Sequence, residues 1–245
     1  MFSKEQFAKL MDSTLLRPTA TRDDILRFCE EAANYHVASV VVFPFWLPVV
    51  RRALVDSDVK IATVIGFPFG ASGRSVKVFE ARTAITNGAN ELDIVINIGA
   101  LKSGEQNIVE SEVTEIVNTS RMTGMTQDAK RTVLKFIIEG YYLTDDEKKL
   151  ACDIISEAGG DFVKTSTGTA PGGATVEDIR LIRNIVGPDI GVKAAGGIRT
   201  TEQAMEMLDA GASRIGTSSA AAIIDGYNPD DYLESAGRKR SRKER

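Results

Sequence analysis

Eight short β-like segments alternate with helical patterns along this 245-residue chain, and that alternation limits the fold more than any single residue does. The segments are 9–14, 39–43, 60–67, 91–98, 132–139, 161–165, 190–194 and 213–217. Each is a brief apolar run bounded by turn residues. Helical patterns fall at 21–34, 75–87, 105–119, 144–158, 175–186 and 200–209. Their start signals are physical ones. Thr144-Asp145-Asp146-Glu147 is a capping box, and Thr21-Arg22-Asp23-Asp24 puts two acids in a first turn, where they favour the helix dipole. Several helices leave through a glycine that leads straight into the next strand, most clearly Asn87-Gly88-Ala89-Asn90-Glu91 and Asp209-Ala210-Gly211-Ala212-Ser213. Strands separated by crossover helices run parallel. Eight of them in a chain of this length fit a closed (β/α)8 (TIM) barrel, with a doubly wound open sheet as the alternative. No Gly-x-Gly-x-x-Gly follows the first strand, which argues against a dinucleotide-binding sheet. No linker interrupts the pattern, so residues 1–237 read as one domain, followed by a basic, disordered tail at 238–245.

Composition narrows the chemistry. The chain has a single histidine, His36, near the end of a helical stretch. A zinc site built on several histidines is therefore excluded, and no serine elbow accompanies His36. Acid–base work falls to Asp, Glu, Lys, Tyr or water. Cys29 and Cys152 have no motif around them and read as reduced thiols of a cytoplasmic protein. No apolar stretch approaches the roughly 20 residues needed to cross a bilayer, and the start lacks a signal-peptide core. The net charge is −4, but the last eight residues carry six cations and one anion, which leaves −9 on residues 1–237. An acidic body does not favour nucleic acid.

Two lysines stand where folding alone gives no reason for them. Lys164 ends the run Asp161-Phe162-Val163 and opens Thr165-Ser166-Thr167-Gly168. Lys193 ends Ile190-Gly191-Val192 and opens Ala194-Ala195-Gly196-Gly197. A buried lysine is paired or working, and a desolvated one loses its proton and becomes a nucleophile for carbonyls. At 29 residues apart, the two sit one strand–helix–strand unit apart and can face one cavity. On the fourth strand, alternation puts Glu91, Asp93 and Val95 on the face opposite Leu92, Ile94 and Ile96. The apolar set packs under helices, so Asp93 points inward and needs a cation such as Lys164 or Lys193. Asp12 on the first strand is a second candidate acid, with Thr14 pointing the same way. The turns around Gly196-Gly197 and Gly216-Thr217-Ser218-Ser219 follow the seventh and eighth strands, where barrels often bind phosphate through backbone N–H groups.

Together these residues resemble the deoxyribose-phosphate aldolase family over nearly the whole chain. The carriers are Asp12-Ser13-Thr14-Leu15-Leu16, Val64-Ile65-Gly66-Phe67-Pro68, the stretch from Glu91 to Gly104, Asp161 to Gly168, Val192 to Thr200, and Arg214 to Ser219. The resemblance implies a (β/α)8 class I aldolase that uses no metal or other cofactor and serves carbohydrate degradation. Its reaction is the reversible cleavage of 2-deoxy-D-ribose 5-phosphate to D-glyceraldehyde 3-phosphate and acetaldehyde. It further implies Lys164 as the Schiff-base lysine, Lys193 as its neighbour and Asp93 as the acid–base residue. Asp12, Thr14, Thr165, Gly168, Gly196, Gly197, Gly216, Ser218 and Ser219 are the expected substrate-binding residues. The expected partner is a small phosphorylated sugar, with no membrane and no nucleic acid, in a homo-oligomer (dimer or tetramer). The chain departs from the pattern at Ser13, Val41, Phe43, Thr169 and Ala220. Many members carry histidine, cysteine, asparagine, an aromatic residue and glycine at these places. The departures bear on acceptor range and rate rather than on reaction class. Two other classes stay open at this level: another phosphate-sugar barrel enzyme, transaldolase-like or isomerase-like, and a non-catalytic binding protein that uses the basic tail.

Overall fold

A computed structural model describes residues 2–125 and 131–230. The tail expected at 238–245 and the end of the expected domain lie outside the described residues. The eight strands are β1 (Met11–Leu15), β2 (Ser39–Val42), β3 (Lys60–Ile65), β4 (Glu91–Val95), β5 (Val133–Ile137), β6 (Phe162–Lys164), β7 (Gly191–Ala195) and β8 (Arg214–Thr217). They form a closed barrel in sequence order, every pair parallel, and β8 closes on β1 with Asp12 opposite Gly216. The open sheet is thereby excluded. Around the barrel lie α1 (Lys4–Ala8), α2 (Arg22–Asn34), α3 (Leu47–Ala53), α4 (Arg74–Thr86), α5 (Ile98–Lys102), α6 (Gln106–Met125), α7 (Asp145–Glu157), α8 (Val176–Val186), α9 (Thr201–Asp209) and α10 (Ala220–Asp225).

Local chemistry accounts for most of these boundaries. Thr21, Thr144 and Thr200 each cap a helix with their hydroxyl, and Asp24, Glu147 and Gln203 reach back to close the capping box. The helix α3 was not anticipated. It follows a 3-10 turn at Pro44–Trp46, so one proline lies just before it and Pro48 lies inside its start. Pro48 is tolerated because it falls in the first turn, where an N–H has no intrahelical partner anyway.

The strands separate two cores. Their outward residues, among them Leu92, Ile94, Val163, Val192 and Ile215, are fully buried against the helical layer. Burying each such side chain contributes about 1.5–3 kcal/mol. Inside the barrel, Val41, Ala62 and Val64 form a separate apolar group under Leu16, Phe43 and Phe67. That group fills the β2–β3 side. Most of the chemistry lies in an ionic cluster in the rest of the interior.

Candidate active site

The register of the parallel strands brings the expected lysines and acid together. Lys164 and Lys193 are opposite one another on β6 and β7, and Asp93 is opposite Lys135 across β4 and β5. Asp93 Oδ2 accepts hydrogen bonds from Lys164 Nζ and Lys193 Nζ, both at 2.7 Å. Asp93 Oδ1 accepts from Lys135 Nζ at 3.1 Å. One carboxylate therefore holds three lysines. Below it, Asp12 Oδ2 pairs with Lys193 Nζ at 2.6 Å and Lys135 Nζ at 3.3 Å. Asp12 Oδ1 accepts from Ser39 Oγ and from Arg214, both at 2.7 Å. Glu91 pairs with Lys135 and, at 3.7 Å, with Arg214.

Counting charges identifies the unusual member. The cluster contains three carboxylates, Asp12, Glu91 and Asp93, and four basic groups, Lys135, Lys164, Lys193 and Arg214. It balances only when one base is neutral. Burial opposes the charge on Lys135, yet Asp12, Asp93 and Glu91 raise its pKa above the ordinary lysine value. Arg214 is likewise held charged against its burial by Asp12 and Glu91. Burial would raise Asp93, but Lys135, Lys164 and Lys193 hold it well below the usual carboxylate range. Lys164 alone is driven the other way. Burial and the neighbouring Lys193 and Lys135 charges outweigh Asp93 and lower it from 10.5 to about 8. About one in ten Lys164 side chains is then neutral at pH 7, against about one in 2,500 for an ordinary lysine. Desolvation is the largest cause, the attraction of Asp93 opposes it next, and Lys193 repulsion follows.

Lys164 is also where the cluster meets open space. A cavity of about 340 Å³ at the C-terminal end of the strands is lined by Lys164, Thr14, Phe67 and the loops after β6, β7 and β8. Its charged lining residues are Lys164, Arg17 and Arg199, with no carboxylate among them. The lining includes Gly168, Gly196, Gly197, Gly216 and Ser218 of the expected substrate-binding set. Gly196 and Gly197 have φ of +93° and +82°, a conformation in which glycine is unstrained. An added Cβ at Gly216 would lie 3.0 Å from Lys193 Cε, so a glycine there leaves room for the lysine stem. Five expected residues lie outside the lining. Asp93 and Lys193 sit beneath Lys164, Asp12 lies deeper in the ionic cluster, and Thr165 ties β6 to β7 through both the N–H and the carbonyl of Ala195. Ser219 stands at the N-terminus of α10 without a side-chain capping bond, and its N–H donates to Thr217 Oγ1.

Other residues at the site were not anticipated. Lys135 interrupts Val133-Leu134-Lys135-Phe136-Ile137, the same signal that marked Lys164, but no glycine turn drew attention to it. Arg214 opens its strand, and nothing in the local sequence marks it as an interior cation. Arg17 and Arg199 each follow a strand within a few residues, which is a usable signal for a cation at a barrel mouth. His36 and the two thiols are remote from this chemistry. His36 is exposed and sits 3.0 Å from Asp58, and Cys29 and Cys152 are buried free thiols pushed up by burial to about 11 and about 12.

A (β/α)8 barrel that desolvates one lysine over a fixed carboxylate, at the floor of a cation-lined cavity, defines an aldolase that works through an amine. The chain belongs to the DeoC/LacD family of aldolases, whose family model matches residues 7–224. It is 51% identical over 231 residues to the deoxyribose-phosphate aldolase of Thermococcus kodakarensis, covering 94% of this chain and 100% of that one. It is 48% identical to the deoxyribose-phosphate aldolase of Bacillus mycoides, covering 89% of this chain and 94% of the other. Among solved structures it is similar to the tetrameric deoxyribose phosphate aldolase of Aeropyrum pernix, with 35% identity, a TM-score of 0.83 and 91% of each chain covered. It is also similar to an aldolase designated QR15, with 39% identity, a TM-score of 0.82, and 93% and 96% of the two chains covered.

Proposed function

We propose that this protein reversibly cleaves 2-deoxy-D-ribose 5-phosphate to D-glyceraldehyde 3-phosphate and acetaldehyde, with Lys164 as the nucleophile. The observation that carries this assignment is the Lys164 amine, lowered to about 8 and lining a cavity whose charged walls are all cationic. The neutral amine adds to the C1 aldehyde and loses water, leaving a protonated iminium. Removal of the C3 hydroxyl proton then sends the C2–C3 bonding pair toward the iminium nitrogen. Glyceraldehyde 3-phosphate departs and an enamine remains on Lys164. Protonation at C2 and hydrolysis release acetaldehyde and restore the amine, so atoms and charge balance over the cycle. Asp93, within hydrogen-bond reach of the reacting nitrogen, accepts and returns these protons directly or through water. Lys193 keeps Asp93 anionic and oriented and adds repulsion against a proton on Lys164.

The phosphate lies against the loops at Gly196-Gly197 and Gly216-Thr217-Ser218, with Arg17 and Arg199 supplying charge nearby. Binding there fixes the reacting carbon, so remote binding energy serves the chemical step. Ser218→Asp is expected to raise KM for the phosphorylated sugar at least about tenfold through repulsion, and to leave unphosphorylated 2-deoxyribose nearly unaffected. Steady-state kinetics on both sugars check this, and equal losses on both would remove the loops from phosphate recognition. The protein is expected to act in the cytoplasm as a homo-oligomer, dimer or tetramer. No helix among the described residues is long and apolar enough to cross a membrane. The direct test of the activity is acetaldehyde release from deoxyribose 5-phosphate by the purified chain.

A further inference from the structure

Glu139 is costly to keep where it is. It follows β5 with φ of +49°, a left-handed conformation unfavourable to any residue but glycine. The residue is only 2% exposed, and its Oε1 has no hydrogen-bond partner among the described residues. A buried carboxylate in a strained backbone, with one oxygen unsatisfied, calls for a compensating role. The other oxygen indicates that role. Glu139 Oε2 accepts from the Thr167 N–H at 3.0 Å and from the Thr167 hydroxyl. Thr167 and Thr169 both line the cavity, on the loop that follows Lys164.

The hydroxyl bookkeeping on this loop closes completely. A threonine oxygen has one proton and two lone pairs. The Thr167 proton goes to Glu139. Its two lone pairs receive the Thr169 N–H at 3.1 Å and the Thr169 hydroxyl at 2.8 Å. The distance between the two hydroxyls does not by itself say which one donates; Glu139, by taking the Thr167 proton, makes Thr169 the donor. The Thr169 oxygen is then left with lone pairs only for whatever enters the cavity. Thr169 is also one of the positions where this chain departs from the common family pattern. We propose that Glu139 is a positioning residue that orders the Thr169–Thr167 hydroxyl chain. Thr169 Oγ1 thereby accepts a hydrogen bond from the C4 hydroxyl of the substrate. This carbon lies between the iminium end, at Lys164, and the phosphate end, at the glycine loops. The inference rests on the proposed cleavage of deoxyribose 5-phosphate, and it makes Thr169 a determinant of acceptor specificity.

The test runs the reaction in the direction of synthesis. Acetaldehyde is added to D-glyceraldehyde 3-phosphate and, separately, to 3-phosphooxypropanal, which lacks the hydroxyl that becomes the C4 hydroxyl of the product. The wild-type chain is expected to favour the hydroxylated acceptor in kcat/KM. Thr169→Val should lower that preference about tenfold, and Thr169→Ser should retain it. Glu139→Met, which frees the Thr167 proton to point toward Thr169, should lower it in the same sense. Borohydride-trapped acetaldehyde adduct on Lys164 reports, in each variant, that the barrel and its amine are intact. A Thr169→Val chain that forms the adduct and keeps the wild-type preference would overturn the inference while leaving the aldolase assignment standing. A wild-type chain that forms neither adduct nor product would overturn both. Equal loss on both acceptors in the Thr169 and Glu139 variants would reduce the loop to a structural element and overturn the inference as well.

Discussion

Replacing Lys164 with methionine is expected to lower kcat/KM for deoxyribose 5-phosphate by about four orders of magnitude or more and to abolish borohydride trapping of acetaldehyde. No other amine among the described residues lines the cavity, so no second nucleophile can take over. Four orders of magnitude correspond to about 5–6 kcal/mol of lost transition-state stabilisation. The same variant should gain stability. In the native chain Lys164 has a value of about 8 against 10.5 for an ordinary lysine. Between those two pH values the unfolded chain binds more protons than the folded one, so this group makes stability rise with pH across the window. The rise is on the order of 3 kcal/mol in all. Denaturant unfolding at pH 7.5 and pH 10 should show this slope in the native chain, after subtraction of the Lys164→Met chain, which lacks it. A trapped adduct on Lys193 in the Lys164→Met chain would reverse the assignment of the nucleophile.

The second large effect separates the two roles open to Lys193. Lys193→Leu removes one cation from the cluster and leaves three carboxylates facing Lys135, Arg214 and Lys164. The charges now balance with Lys164 protonated. Its pKa should rise by about one to two units even though burial still opposes the charge, and the acidic limb of the pH–rate profile should move up by the same amount. Activity near pH 7 should fall about 10- to 100-fold from this cause alone and recover in part in alkali. Asp93→Asn should act in the opposite sense. It removes an anion, so adduct formation with acetaldehyde should shift to lower pH, while turnover stays low at every pH because the proton acceptor is gone. The measurement is the pH dependence of single-turnover adduct formation in both variants. If neither profile moves, charge tuning is not the function of the cluster, and Lys193 belongs to proton transfer.

Most of the barrel could be read in the sequence, because local rules produce it. Short apolar runs, capping threonines and glycine exits each act within a few residues, and all eight strands and six of the helices stand where those rules put them. The helix α3 escaped because aromatic residues and prolines obscured its first turn. The ionic cluster was legible only in part, for a related reason. Lys164, Lys193 and Asp93 stood out against apolar strands or beside glycine turns. Their partners did not, because barrel closure, not sequence proximity, creates the pairs. Lys135 meets Asp93 across 42 positions and Arg214 meets Asp12 across 202. The order of causes behind the lowered Lys164 value was equally invisible, since desolvation depends on how deeply the side chain is enclosed. Glu139 escaped because a glutamate at a strand end usually faces water.

The charge balance of the barrel interior also bears on the later steps of catalysis. On the proposed mechanism, once the Schiff base forms the reacting nitrogen carries a positive charge, and because the surrounding lysines hold Asp93 well below the usual carboxylate range, the C3 hydroxyl proton passes through Asp93 to water and does not rest there. The surplus charge that keeps the free amine neutral thus makes the iminium an uncomfortable state. Breaking the C2–C3 bond supplies electrons to that nitrogen and yields a neutral enamine, which restores the balance. On that mechanism the interior would act as an electrostatic spring: covalent capture of the aldehyde loads it, and cleavage of the carbon–carbon bond releases it.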